Sequence, residues 1–283
     1  MSAPAEAGHN YHITPADGLG AGGKRTKYKD NLAAIRLVKQ LAQEGRKATP
    51  AEQAVLVKYV GWGSLPEVFD TDNATPRHQA FRPDDSYGTS YLNGKRGRWV
   101  TVDSEWYDEY QEVKALMTPE EYKDARASTT NAHYTSYDVT TRMWDAVKRL
   151  GFDGGKTLEP AAGIGNFIGT MPPELFNGSR VVSVEKDKLT GDILGHLYQG
   201  TNNHISPYQK LPLPVNYFDL AISNVPFGNF GVADAAFRKL PKFLQQSIHN
   251  YYFAKALTQI RPGGLIAFIT SAFTMDAPSS LVV

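Results

Sequence analysis

The residues best suited to chemistry in this chain are Ser223-Asn224-Val225-Pro226-Phe227-Gly228, which follow the apolar run Tyr217-Phe218-Asp219-Leu220-Ala221-Ile222. An apolar strand that ends in Asn-x-Pro-aromatic suits methyl transfer onto an exocyclic amine. The strand would deliver its turn to the carboxyl edge of a sheet, where open α/β folds hold their ligands. The amide oxygen of Asn224 and a carbonyl of the turn offer two acceptors for an NH2 group. Pro226 fixes the turn near φ ≈ −65°, and Phe227 gives a flat base a ring to stack on. The alternative is a purely structural β-turn.

A second constellation lies upstream. Lys156-Thr157-Leu158-Glu159-Pro160 reads as a short strand leading into Ala161-Ala162-Gly163-Ile164-Gly165-Asn166-Phe167. Gly-x-Gly after a strand lets the backbone approach a nucleotide-like ligand closely, although Gly-rich turns of this kind are often only structural. About 20 residues on, Arg180-Val181-Val182-Ser183-Val184-Glu185 reads as a strand ending in an acid, where doubly wound folds hold a ribose by its hydroxyls. A lone strand-end acid is otherwise a solvated residue. A dinucleotide-binding dehydrogenase would share this spacing. The third glycine of its fingerprint is missing, however, since Ile168 occupies that position. The Asn224 turn then favours S-adenosylmethionine over a nicotinamide.

The string Leu158 to Phe167 resembles the cofactor motif of N6-adenine DNA methyltransferases, and Asn224-Val225-Pro226-Phe227-Gly228 resembles their catalytic turn. Ala132-His133-Tyr134-Thr135-Ser136 resembles the element that precedes the cofactor motif and contacts the methionine part. Ala48-Thr49-Pro50-Ala51-Glu52-Gln53 with Tyr59-Val60-Gly61-Trp62-Gly63 is similar to the leader of large phage- and plasmid-borne proteins. In those, a methyltransferase domain precedes a Snf2-type helicase, and some act in antirestriction. The resemblance spans roughly residues 29–69 and 105–276. It implies S-adenosylmethionine as cofactor, contacted by Tyr134, Thr135, Glu159, Pro160, Ala161, Gly163, Gly165, Asn166, Phe167, Glu185 and Asn224. It implies Asn224, Val225, Pro226 and Phe227 as the catalytic turn. The implied partners are DNA, with an adenine flipped from the duplex, and a helicase or target-recognition subunit. Two departures stand out. Val225 replaces the usual proline, which keeps the carbonyl and loses stiffness. The acid expected after the third strand, at the cofactor adenine, is missing from Thr201-Asn202-Asn203-His204-Ile205-Ser206, where Asn202 or Asn203 could substitute.

The elements that must position these motifs follow from pattern. The expected fold class is α/β: a doubly wound, Rossmann-like class I methyltransferase sheet with an N-terminal helical extension. Residues 1–28 are Ala-, Gly- and Pro-rich with little to bury and read as disordered. Residues 29–133 read as a helical region. Ile35, Val38 and Leu41 share a helical face, and Thr49-Pro50-Ala51-Glu52 and Thr118-Pro119-Glu120-Glu121 are capping boxes with Pro at the first helical position. Residues 73–103 read as a polar insertion, a solvated loop whose Lys95, Arg96, Arg98 and Trp99 could also touch nucleic acid. From 134 to 283 strands alternate with helices, which implies a mostly parallel sheet. Arg261-Pro262-Gly263-Gly264 reads as the helix stop before the last strand, and the closing antiparallel hairpin of such sheets is expected to be missing.

Composition narrows the classes. The chain has 283 residues, 41% of them hydrophobic, with 30 Lys and Arg against 29 Asp and Glu, so any phosphate-binding surface must be local. There is no cysteine, which excludes disulfides and thiolate zinc sites, and the seven scattered histidines suggest no metal site. No secretory leader and no run near the ~20 apolar residues of a membrane span is visible, so a cytoplasmic location is expected. Two alternatives stay open: a methyltransferase for another amine (protein glutamine or RNA guanine N2), and a non-catalytic cofactor-binding module of a larger assembly.

Overall fold

The structure is a computed structural model that describes residues 9–84, 86, 88–129, 134–228, 230–237 and 247–271. Ala132 and His133, named above, lie outside these residues, as do Met1 to Gly8. The chain divides into two compact units, one of residues 1–61 and 131–283 and one of residues 62–130.

In the larger unit, α1 (Lys24–Glu44) and α2 (Pro50–Leu56) come first. Ile35 and Leu41 are fully buried, and the Thr49/Glu52 capping box forms as its spacing requires. In the smaller unit, β1 (Arg77–Pro83), β2 (Ser90–Leu92) and β3 (Lys95–Asp103) make an antiparallel sheet of order β1-β3-β2, followed by α3 (Tyr107–Leu116) and α4 (Pro119–Ser128). The polar stretch is therefore a folded sheet rather than a loop. Its signal was Asn93-Gly94, both with positive φ (51° and 77°), the dipeptide of a two-residue hairpin turn.

The chain then returns to the larger unit with α5 (Tyr137–Arg149), β4 (Lys156–Glu159), α6 (Asn166–Thr170), α7 (Pro173–Asn177), β5 (Arg180–Glu185), α8 (Lys188–Leu197), β6 (Asn202–Ile205), β7 (Phe218–Asn224), α9 (Ile248–Gln259) and β8 (Ile260–Ile269). The strands form an all-parallel sheet of order β6-β5-β4-β7-β8. This is the expected α/β, Rossmann-like class. The order reverses between β4 and β7, and a doubly wound sheet opens its ligand crevice at that point, beyond the strands' carboxyl ends.

Three expectations change. Residues 9–28 are not disordered. Tyr11 donates its N–H to Leu197 O (2.9 Å), Ile13 donates to Gly169 O (2.8 Å), and the Ile13 side chain is fully buried. A short polar composition concealed a strap, because one isoleucine and a few backbone bonds suffice to tie it to α6 and α8. Second, α1 and α2 belong to the unit that holds the parallel sheet, and Gln53 bonds across to its other elements. Gln53 Nε2 reaches the carbonyls of His9 (2.9 Å) and His196 (2.8 Å). Third, Arg261-Pro262-Gly263-Gly264 lies inside β8 as a bulge: Phe218 pairs with Ile260, and Leu220 with Leu265. Arg261 Nε donates to Asp219 Oδ1 (2.5 Å), while Asp219 Oδ2 takes the Lys156 N–H (2.7 Å), so one carboxylate joins three strands.

The strap makes a testable difference. Ile13→Ala should destabilise the chain by about 2–5 kcal/mol, the usual cost of emptying a buried isoleucine site, measured by urea unfolding. A change below about 0.5 kcal/mol would mean the segment does not dock in solution.

Candidate active site

The crevice is built by the turn after β4, the end of β5 and the end of β7. Thr157 and Leu158 of β4 pair with Leu220 and Ala221 of β7, so both strands reach the same edge. Ser223 Oγ donates to the Ala161 carbonyl at 3.1 Å. This bond ties the residue before Asn224 to the residue two before Gly163. The paired glycines and the asparagine turn therefore share one corner of the sheet.

The glycine turn is tightly held. Gly163 and Gly165 have φ of 57° and 84°, in the left-handed region that glycine adopts without cost. A Cβ on Gly165 would sit 2.4 Å from the Tyr198 ring and 2.8 Å from Leu194. Gly165 is thus required by the packing of α8 as well as by φ. A Cβ on Gly163 would meet the Tyr134 ring at 3.1 Å. That same ring would lie 2.6 Å from a Cβ on Gly61, whose carbonyl is held by Asn31 Nδ2 (2.7 Å). The Tyr-Val-Gly-Trp-Gly leader thereby gains a physical reason. Its first glycine makes room for Tyr134, which leans on the glycine turn, packs edge-on to Tyr59 (6.2 Å between centroids) and is hydrogen-bonded by Thr190. Thr135 contributes its carbonyl, which accepts from Asn166 Nδ2 at 2.9 Å. Ser136 occupies the N-cap of α5 without a side-chain cap bond.

Two carboxylates flank the turn. Glu185 accepts the Gly163 N–H through Oε2 (2.8 Å) and the Asp187 N–H through Oε1 (2.8 Å). A carboxylate has about four acceptor positions, so room remains for a diol. Asp187 also caps α8 through Thr190 N (2.8 Å), a role its Asp-x-x-Thr spacing could have disclosed. Glu159 is 2% exposed, and its Oε2 is buried with no hydrogen-bond partner. Burial pushes its pKa well above the ordinary carboxylate range, the nearby Glu185 adds to this, and the Ile168 N–H opposes it. Burial raises Glu185 as well. Glu185, with acceptor positions left beside the Gly163 turn, fits the hydroxyls of a nucleoside, whereas the Glu159 carboxyl sits deeper, among Trp144, Phe167, Ile168 and Met171.

The remaining expected residues divide. Pro160 and Asn166 are buried and Ala161 half-buried at the turn. Phe167 is 2% exposed and lies beneath the turn with Trp144 and Ile222, its carbonyl accepting from Trp144 Nε1 (3.0 Å). It supports the turn from the core instead of facing the crevice. At the second turn, Asn224, Pro226 and Phe227 are partly exposed. Val225 is 1% exposed in the core with Tyr208, Tyr251 and Phe237, its N–H donating to Ile269 O (3.1 Å). Burial of the valine side chain replaces the rigidity a proline would give. Of the two asparagines considered for the adenine, Asn202 is exposed and Asn203 is engaged within the fold. They pair with Val182 and Ser183, short of the carboxyl end at Ile205. The Asn203 amide is consumed by Ser183 Oγ, Thr201 Oγ1 and Tyr198 O.

No protein-family model matches the chain. It is 29% identical over 164 residues to "Defense against restriction protein B" of Escherichia phage P1, a stretch that is 57% of this chain and 7% of that protein. Among solved structures it is similar to a putative class I S-adenosylmethionine-dependent methyltransferase from Listeria monocytogenes, with 13% identity, TM-score 0.46, and coverage of 90% of this chain and 77% of that one. A type I restriction-modification methyltransferase subunit from Streptococcus thermophilus gives 13% identity, TM-score 0.45, and coverage of 63% and 46%. The strand order and parallel register, not these likenesses, define the fold. No described helix is long and apolar enough to cross a membrane.

The buried acid has a pH signature. Burial holds the Glu159 carboxyl well above the ordinary carboxylate pKa of 4.5, so above about pH 4.5 an unfolded chain ionises this group while the folded chain resists. The group therefore costs stability progressively as pH rises towards its folded pKa. Glu159→Gln should gain stability relative to the native chain between pH 5 and 8, the gap widening with pH in urea titrations. A gap independent of pH would show that Glu159 is ionised and compensated in the folded chain.

Proposed function

We propose that this chain is an S-adenosylmethionine-dependent methyltransferase whose acceptor is the exocyclic N6 amine of adenine in DNA. The observation that carries the reading is the Ser223–Ala161 hydrogen bond at the β4/β7 switch point, which sets an amine-binding turn beside a glycine cradle flanked by two acids.

In this reading Gly163 and Gly165 give backbone access and Glu185 receives the ribose hydroxyls. Glu159 lies beneath the turn as a buried acid, and Tyr134 packs against Gly163. The bound cofactor supplies an electrophilic methyl group on sulfur. The protein's own work is positioning. An aromatic amine is a poor nucleophile because its lone pair is delocalised into the ring. The Asn224 amide oxygen and the Val225 carbonyl accept its two N–H bonds, favour a pyramidal nitrogen and aim the lone pair. Phe227 stacks on the base. Flipping the base costs a few kcal/mol, which stacking offsets by about 1–3 kcal/mol. The likeness to a restriction-modification methyltransferase subunit and to a phage protein named for defence against restriction supports DNA as the acceptor and antirestriction as the setting. A helicase or target-recognition partner belongs to the same proposal, since the matched stretch is 7% of the phage protein.

Asn224→Ala should leave S-adenosylmethionine affinity within about threefold by titration calorimetry and lower methyl transfer to DNA by at least 100-fold, about 2.7 kcal/mol. Nucleosides released from the native reaction should contain N6-methyladenine. Transfer to protein glutamine or to RNA guanine instead would redirect the assignment, and cofactor binding without transfer to any of these would leave a binding module.

A further inference from the structure

The antiparallel sheet of residues 62–130 concentrates positive charge at one end. Of the eight Lys and Arg in this unit, five lie between Arg77 and Arg98, against two of its thirteen acids. Strand alternation sorts them. The β1/β3 register pairs Phe81 with Trp99 and Arg82 with Arg98, and the β2/β3 register pairs Tyr91 with Arg96. Arg82, Arg96, Arg98 and Tyr91 therefore share one face at one end of the sheet, while Trp99 and Lys95 belong to the opposite face. The run Lys95-Arg96-Arg98-Trp99 is not one patch but two.

Arg82 and Arg98 sit directly opposite each other, an arrangement of like charges that destabilises a sheet. Arg98 is 62% exposed, with the Asp84 carboxylate at 3.9 Å. Arg96 Nε donates to the Gly88 carbonyl at 2.6 Å, which orients its guanidinium at the same end. Tyr91, on that face, is 72% exposed. Stacked arginines beside an exposed ring are complementary to a row of phosphates with a sugar or base edge against the ring. A chain with near-zero net charge needs such a local surface to hold a polyanion.

We propose that the Arg82–Arg96–Arg98–Tyr91 face is a docking surface for the phosphate backbone of duplex DNA. The proposal deepens the reading above and rests on DNA as the acceptor. The test uses the full chain and a fluorescein-labelled 30-base-pair duplex, followed by anisotropy across a salt series. Arg82→Gln with Arg98→Gln should weaken binding at least tenfold and reduce the slope of log K against log salt by about 2. S-adenosylmethionine affinity should not change, and the thermal midpoint should not fall. Trp99→Ala, on the other face, should leave DNA affinity within twofold. Methyl transfer by the double variant should show a raised KM for DNA and an unchanged kcat. Unaltered affinity and slope in the double variant, with methyl transfer intact in the native chain, would overturn the surface alone. Tenfold preference for an RNA duplex, or equal losses from Trp99→Ala, would also overturn it. A native chain that binds cofactor and no DNA would overturn the acceptor assignment together with the surface.

Discussion

One hydroxyl-to-carbonyl hydrogen bond, from Ser223 to Ala161, fixes how the two chemical corners of this molecule meet. It is possible only because β4 and β7 are neighbours although 58 residues and two other strands separate them in sequence. Parallel strands need long crossovers, and the right-handed rule for these crossovers sends β5 and β6 to one side of β4 and β7 and β8 to the other. The crevice is the gap this reversal leaves. Asp219 performs the same service at the opposite end, joining the Lys156 N–H to the Arg261 bulge.

Around that gap, packing and electrostatics act in different directions. Gly61, Gly163 and Gly165 are each pressed by a ring, from Tyr134 or Tyr198, so the turn is rigid before any ligand arrives. Rigidity of this kind lowers the ordering cost of binding. Glu159 and Glu185 work against stability instead, since burial disfavours their ionised forms, with Glu185 adding to this at Glu159 and Asp187 at Glu185. Departures from local preference of this sort concentrate where proteins bind and react.

Much of this was legible in sequence because it depends on short-range rules. Capping boxes at Thr49 and Thr118, the strand that ends at Asn224, the Gly-x-Gly turn and the acid closing β5 all announce themselves within a few residues. What escaped depends on partners distant in sequence. The strap at Tyr11–Ile13 is ordered by Leu197 and Gly169. The amide of Asn203 is spent on Ser183 and Tyr198, which no local pattern reveals. Phe167 turns into the core because Trp144 and Ile222 enclose it. Arg261-Pro262-Gly263-Gly264 looks like a stop and is a bulge, because Asp219 draws Arg261 back onto the sheet. The Asn93-Gly94 hairpin was readable and marks a sheet within a stretch whose polarity suggested a loop.

The most direct test is a crystal structure of the chain with S-adenosylmethionine or its non-reactive analogue sinefungin. The ligand's nucleoside should lie against Gly163 and Glu185, with its sulfur, or the matching amine-bearing carbon of the analogue, turned towards Asn224. Density at any other place would contradict the account.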